Sequence, residues 1–290
     1  MTLTVLVVGR GKVAAGLRRA TRRKADLQIR ERSHGRVRDA DIAWAEIVLL
    51  AVPDGAIRAT AEALAPRVGR VPVLHLSGNR PVSEAAACSQ HGALHPLSSF
   101  ASKRAPPDLT GTYFAVAGTP TAKRAGVRVA RALGGHVLHA TDPSVALQGP
   151  AYHAAAAVVA NGAAALAASG VDILTRLGVA RARAQRAVAA LLRTVADNVE
   201  DVGVPSALTG PVMRGDASTV AAHRLALQQL GGRSAEVYDA AALAVLGCAI
   251  DAGLTSAEAR AVRAALGPDG APASSRAPRG RGASGRPGHR

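Results

Sequence analysis

Aromatic residues are nearly absent from this chain: one Trp, three Tyr and two Phe make up 2% of 290 residues. A core without large rings has to be packed by Ala, Val and Leu, and helices with such small faces approach one another closely. Cysteine is almost as scarce. Cys88 and Cys248 form no CxxC spacing and join no His/Cys cluster, which excludes a disulfide framework and a structural zinc and reads as a reduced, cytosolic protein without a metal. A long apolar run is also missing, since the segment 154–168 is short, alanine-dominated and interrupted by Asn161 and Gly162, so no membrane span is expected. The first apolar run is only a strand in length and has no charged region before it, unlike a signal peptide. Acid is in deficit, with 20 Asp and Glu against 36 Lys and Arg, for a formal charge of +16. Residues 271–290 carry five of the arginines and no acid, leaving +11 on the body. Those charges are spread along helices, as in Arg18, Arg19, Arg22 and Arg23 or Arg181, Arg183 and Arg186, without aromatics between them for base stacking. They read as a solvated basic face and not as a nucleic-acid surface, although their field can steer an anionic cofactor or substrate.

What is present is organised around the first sixteen residues. The run Leu3, Val5, Leu6, Val7, Val8 leads into Gly9-Arg10-Gly11-Lys12-Val13-Ala14-Ala15-Gly16, a strand, a tight turn and a helix start. In a dinucleotide-binding turn the first glycine permits the bend, the second admits the pyrophosphate, and the third place packs helix against strand. Gly9, Gly11 and Ala14 take these places, and the helix amides with the positive end of the helix dipole would face the phosphates. The alternative is an ordinary glycine-rich turn.

Further along, Leu27, Ile29 and Glu31 alternate as a second strand ending in Glu31-Arg32-Ser33. An acid at this point suits a ribose hydroxyl, whereas Arg with a small hydroxyl residue suits a 2′-phosphate, so NADP is favoured over NAD, with Glu31 as the opposing feature. Residues 47–52 form an apolar run of the kind buried on both faces of a parallel sheet, ending in Pro53-Asp54, where Asp54 is placed to cap the next helix. A strand over 71–76 ends in Ser77-Gly78, and Leu94-His95-Pro96 follows within the length of one short helix. A strand at 113–117, a helix at 121–133 and a strand near 137–139 close a doubly wound domain over residues 1–141. From about Ser144 strand signals stop and helical patterns replace them at 144–169, 171–177, 180–200, 216–230, 234–252 and 255–266. The expected fold is therefore an α/β Rossmann dinucleotide-binding domain followed by an all-α domain over 142–266, with a disordered basic tail at 267–290.

The polar residues that could carry chemistry are few. At helical spacing His153, Ala157 and Asn161 share a face, leaving room for something flat beside a histidine able to exchange a proton near neutral pH. An interhelical hydrogen-bonded histidine is the alternative. His95, fixed by Pro96 at the crevice edge, is a better acid or base than His34, His91, His136 or His139. The loop 208–216 offers Asp216 as the cap of a helix starting at Ala217 and Arg214 either as an anchor for a substrate carboxylate or as Asp216's partner. No Lys stands at helical spacing from Asn, because Lys12, Lys24, Lys103 and Lys123 all lie in the first domain.

Together the stretches VVGRGKVAAGL, ERS, LLAVPDGAI, HLSG, ALHPLSSFA, YHAAAAVVAN and LTGPVMRGDAST resemble the Rossmann-like proteins that carry a C-terminal domain of unknown function 2520, described as NADP-dependent oxidoreductases. More distantly the chain is similar to pyrroline-5-carboxylate reductase, prephenate dehydrogenase and ketopantoate reductase, the last motif pair being His95-Pro96, as in prephenate dehydrogenases. The resemblance implies hydride transfer between NADP and a small, anionic carbonyl, hydroxy or imino acid, with a homodimer built on the helical domain. On that reading Gly9, Arg10, Gly11, Lys12, Val13 and Ala14 shape the pyrophosphate turn and Arg32 and Ser33 meet the 2′-phosphate. Ala51, Val52, Pro53, Asp54 and Ser77 border the nicotinamide side. His95 and His153 transfer protons, Asn161 orients, and Arg214 anchors the substrate. The chain departs from the pattern by compressing the region between Ser33 and Ile47. A rival from another class is a non-catalytic protein that binds NADP(H) and signals through its helical domain or tail.

Overall fold

The structure is a computed structural model and describes residues 2–22, 24–142 and 145–267. Its contacts divide the chain into two units, Met1–Gly162 and Ala163–Arg290. Apart from Gly267, the tail expected at 267–290 lies outside the described residues.

In the first unit, seven strands form one sheet: β1 (Leu3–Val8), β2 (Leu27–Arg32), β3 (Ile47–Leu50), β4 (Val73–His75), β5 (His91–Pro96), β6 (Tyr113–Gly118) and β7 (His136–Leu138). Their order is β2-β1-β3-β4-β5-β6-β7, parallel throughout except for the antiparallel pair β5 and β6. The runs LTVLVV and IVLL are buried almost completely because β1 and β3 lie inside the sheet with both faces covered. One face packs on α1 (Lys12–Thr21) and α4 (Pro120–Ala132) through Leu17, Leu109, Phe114, Val129 and Leu133. The other packs through Ile42, Ile57, Leu64 and Val68 on α2 (Asp39–Trp44) and α3 (Ile57–Val68). The chain leaves β1 toward β2 on one side and returns to β3 on the other. This reversal opens a crevice at the carboxyl ends of β1 and β3, where open α/β sheets hold ligands.

The second unit contains most of α5 (Pro150–Arg176) and all of α6 (Arg181–Val202), α7 (Ala217–Leu230), α8 (Ser234–Asp251) and α9 (Ser256–Ala265). Val212, Val220, Ala242, Leu246, Val262 and Leu266 form its core. Asp216 caps α7, accepting the Thr219 amide at 3.0 Å.

Three expectations need correction. Gly170 does not interrupt the helix: the patterns expected at 144–169 and 171–177 are one helix of 27 residues, because a helical glycine costs only about 1 kcal/mol against alanine and neighbouring alanines absorb it. That helix is long and apolar enough to cross a membrane by length and composition, contrary to the reading of its sequence as too short. Its first turns bond to the sheet unit, and the contact division falls within this helix, after Gly162. Asp54 opens a single 3₁₀ turn, Asp54–Ala56, and its side chain caps nothing, lying instead 3.9 Å from Arg80. The compressed segment after Ser33 holds only the six-residue α2.

Candidate active site

The crevice begins at Gly9, whose φ of 135° lies in a region that side chains rarely adopt, and a Cβ there would collide with the Ala51 carbonyl of β3. Beside it a Cβ on Gly11 would meet nothing closer than 3.9 Å, so the space above that turn is open. Gly11 is the N-cap of α1, which has no side-chain cap and no acid in its first turn, leaving its first amides for a phosphate. Ala14 is fully buried against the sheet, while Arg10 and Lys12 are exposed beside the turn. A dinucleotide fits this cradle.

At the end of β2, the Glu31 Oε2 accepts from Arg18 at 2.7 Å, and its Oε1 is buried with no hydrogen-bond partner among the described residues. Arg32 donates through Nε and Nη2 to both oxygens of Asp41, at 2.8 and 2.7 Å. Arg30 reaches the same carboxylate at 3.2 Å and lies over the Trp44 ring at 4.2 Å, and Arg38 gives it a backbone amide. Asp41 is fully buried, and the hydrogen bonds from Arg32, ahead of the others, hold its carboxyl far below the usual carboxylate range. Three arginines thus share one buried acid at the place where a 2′-phosphate would lie, next to the turn-forming Ser33. Sequence reasoning missed Asp41, whose signal was the acid pair Asp39 and Asp41 following Arg36 and Arg38 in a basic stretch.

The ends of β4 and β5 build the other half. Ser77 Oγ accepts the amides of Asn79 and Arg80, closing the turn after β4, while Gln148 Nε2 donates to the Ser77 carbonyl and the Gly149 amide to that of Gly78. These bonds seat the start of α5 on the turn. Gly78 packs against the His95 ring so closely that a Cβ would stand 2.8 Å from it. His95 Nδ1 lies 2.9 Å from the Tyr152 hydroxyl, and its ring meets those of Tyr152 and His153 edge-on at 5.5 and 6.0 Å. His95, Tyr152, His153 and Asn161 line one cavity of about 640 Å³, together with Ser98, Ser99 and apolar groups from Leu97, Leu138 and the small side chains of α5. The expected residues His95, His153 and Asn161 are therefore brought together, and Tyr152 is an addition. Arg214 lies exposed in the second unit, before α7. Among the described residues no three His, Cys, Asp or Glu side chains are grouped to hold a metal.

Burial pushes the His95 pKa down from 6.5 to about 4, His153 and His75 adding to the effect and the Asp54 carboxylate opposing it. Burial likewise raises the Tyr152 phenol and lowers His75, which is fully buried with its Nε2 3.2 Å from the Pro81 carbonyl. The site at neutral pH is a neutral imidazole against an intact phenol. Between pH about 4 and 6.5 the unfolded chain binds a proton at His95 that the folded chain refuses, so this stability is complete above 6.5 and declines as pH falls toward 4. Urea unfolding at roughly pH 7 and pH 5 is expected to show a fall that is smaller by about 1–2 kcal/mol in His95→Gln. An equal fall in both proteins would mean that His95 protonates freely in the fold.

Comparison with known proteins bears on the fold. Residues 112–245 match the model of a family described as Domain of unknown function (DUF2520). A search of curated protein sequences finds no match. In fold the chain is similar to a protein of Thermotoga maritima, at 24% identity and a TM-score of 0.61 over 86% of this chain and 99% of the other. It is also similar to a provisionally named NADP oxidoreductase of Bacteroides fragilis, at 18% identity and a TM-score of 0.63 over 85% and 98%. A Plasmodium falciparum pyrroline carboxylate reductase with NADP bound gives 13% identity and a TM-score of 0.54 over 85% and 98%. These likenesses show a Rossmann-like unit followed by a helical one.

Proposed function

We propose that this Rossmann-like, DUF2520-bearing chain is an NADP-dependent oxidoreductase that interconverts a carbonyl or imine and the corresponding alcohol or amine. The observation that carries this reading is the arrangement of the carboxyl ends of the parallel strands: an uncapped glycine turn after β1 and a histidine, ordered by a phenol, in a cavity at the end of β5. Bound NADPH would supply the hydride. The chain's own groups do the rest. The turn Gly9–Ala14 and the α1 amides hold the pyrophosphate, and the unpartnered Glu31 Oε1 accepts a ribose hydroxyl. Arg32, held in place by Asp41, meets the 2′-phosphate with Ser33, and Arg18 neutralises the acid that would repel it. Ala51, Val52, Pro53, Asp54 and Ser77 border the nicotinamide.

On this reading the Tyr152 hydroxyl donates a hydrogen bond to His95 Nδ1, 2.9 Å away, and the neutral imidazole carries its hydrogen on Nε2. That N–H polarises the C=O or C=N, and as its proton passes to the substrate the Tyr152 hydroxyl proton moves to Nδ1, so that the imidazole stays neutral and water reprotonates the phenolate, with His153 and Asn161 orienting the substrate. Of the related proteins named above, one was solved with NADP and one is named for that cofactor, which agrees with this reading.

Titrating the protein with NADPH and NADH by nicotinamide fluorescence, with Arg32→Ala alongside, tests it. NADPH is expected to bind more tightly than NADH and to weaken by about 10- to 100-fold in the variant, as suits the loss of a charged hydrogen bond, with NADH little changed. No binding of either nucleotide would sink the oxidoreductase reading, and tight NADPH binding without turnover on any carbonyl or imine would favour the non-catalytic rival.

We place the protein in the cytosol, where the free thiols of Cys88 and Cys248 stay reduced. A homodimer belongs to the same reading. Leu191, Val195, Val199 and Val202 form an exposed apolar stripe on α6, and Val158 and Val159 are more than 70% exposed on α5. Light scattering is expected to give twice the chain mass, and a monomer at working concentration would refute it.

A further inference from the structure

Resting on the oxidoreductase reading, we propose that the cavity beside His95 takes an uncharged, largely apolar ketone, aldehyde or imine, and not the small carboxylic acid that the resemblance implies. The lining carries this. Among the described residues that form the cavity there is no Arg or Lys, and its only polar groups are two imidazoles, a phenol, two serine hydroxyls and one carboxamide. The rest is Leu97, Leu138, Val159 and a patch of alanines, so that a carboxylate placed there would find no cation to pair with.

Volume agrees: about 640 Å³ is ample for a compound with a ring or a short alkyl arm beside its reacting carbon, and larger than a two- or three-carbon acid requires. The apolar arm would lie along Ala156, Ala157 and Val159, with the C=O or C=N at His95 and Tyr152.

The probes are a matched pair: benzylacetone, and the oxo acid in which a carboxylate replaces the methyl group next to its carbonyl. A phenyl-substituted pyrroline serves as the imine arm. Binding to the full chain without nucleotide is read by ligand-detected NMR titration, and NADPH oxidation is followed separately. Benzylacetone or the phenylpyrroline is expected to bind at least tenfold more tightly than the oxo acid. Val159→Arg, which sets a cation in the lining at an exposed helical position, is expected to reverse the order. An oxo acid that binds as tightly as its ketone, a failure of every probe to bind, or a Val159→Arg protein with unchanged preference would each overturn the proposal. Because the NMR arm needs no cofactor, a protein that bound the ketone selectively but ignored NADPH would uphold the cavity's selectivity while removing the reductase reading.

Discussion

Gly9→Ala is expected to abolish NADPH binding within the range of a fluorescence titration, a loss of at least about 100-fold, and to lower the stability of the first unit. The backbone alone accounts for part of it. A φ of 135° belongs to a region that is close to glycine-only, and holding alanine there costs about 1–3 kcal/mol. The larger share is steric: the new Cβ points into the carbonyl of Ala51, whose residue is itself tied to β1 by the hydrogen bond that its amide donates to the Val8 carbonyl at 2.8 Å. Neither strand can retreat without breaking the middle of the sheet, so the turn must move, and with it the amides that hold the pyrophosphate. Gly111→Ala separates the two contributions, since Gly111 has a φ of 76° with nothing within 4 Å of its Cβ position. It should show only the left-handed penalty, about 1–2 kcal/mol, and leave nucleotide affinity intact. If Gly9→Ala bound NADPH normally, the turn would not be the pyrophosphate site.

Much of this arrangement could be read from the sequence because it is local. The strand-turn-helix at the start needs only neighbouring residues, the buried strands announce themselves as IVLL and LTVLVV, and Asp216 caps its helix from one position away. His153 and Asn161 share a face of one helix, which periodicity alone reports. What escaped is tertiary. Tyr152 meets His95 across 57 residues, and no spacing rule connects a strand end to a helix start that far away. Asp41 escaped for an electrostatic reason: its importance lies in being the single buried carboxylate that three arginines share, and burial is invisible in a chain of polar letters. Reading α5 as two helices overweighted Gly170, whereas 27 residues rich in alanine carry a few glycines without fraying. The anion anchor assigned to Arg214 followed from its place in the loop 208–216 and from guanidinium geometry, and the cavity lining gives it no counterpart in the first unit.

Replacing His95 by alanine is expected to lower kcat by about 100- to 10,000-fold on whichever carbonyl or imine the protein reduces, the range for removing a positioned proton donor. The geometry says which part of that effect belongs to which residue. His95 with a pKa of about 4 is not an imidazolium at neutral pH, so it cannot act as a strong cationic acid, and its value lies in a neutral N–H whose direction is set by the 2.9 Å bond to Tyr152. Tyr152→Phe leaves the ring in its slot against Gly78 but frees the tautomer. A loss of about tenfold is expected, the worth of one hydrogen bond, together with a changed acid limb of the pH profile as Nδ1 becomes free to protonate. The double variant should cost no more than His95→Ala alone, because without the imidazole the phenol has nothing to orient. Additive losses would instead make Tyr152 an independent donor, its hydroxyl acting directly on the substrate. His153, edge-on to His95 and 6.0 Å away, acts on the same ring by keeping it neutral, so His153→Ala should shift the pH profile more than it lowers the rate.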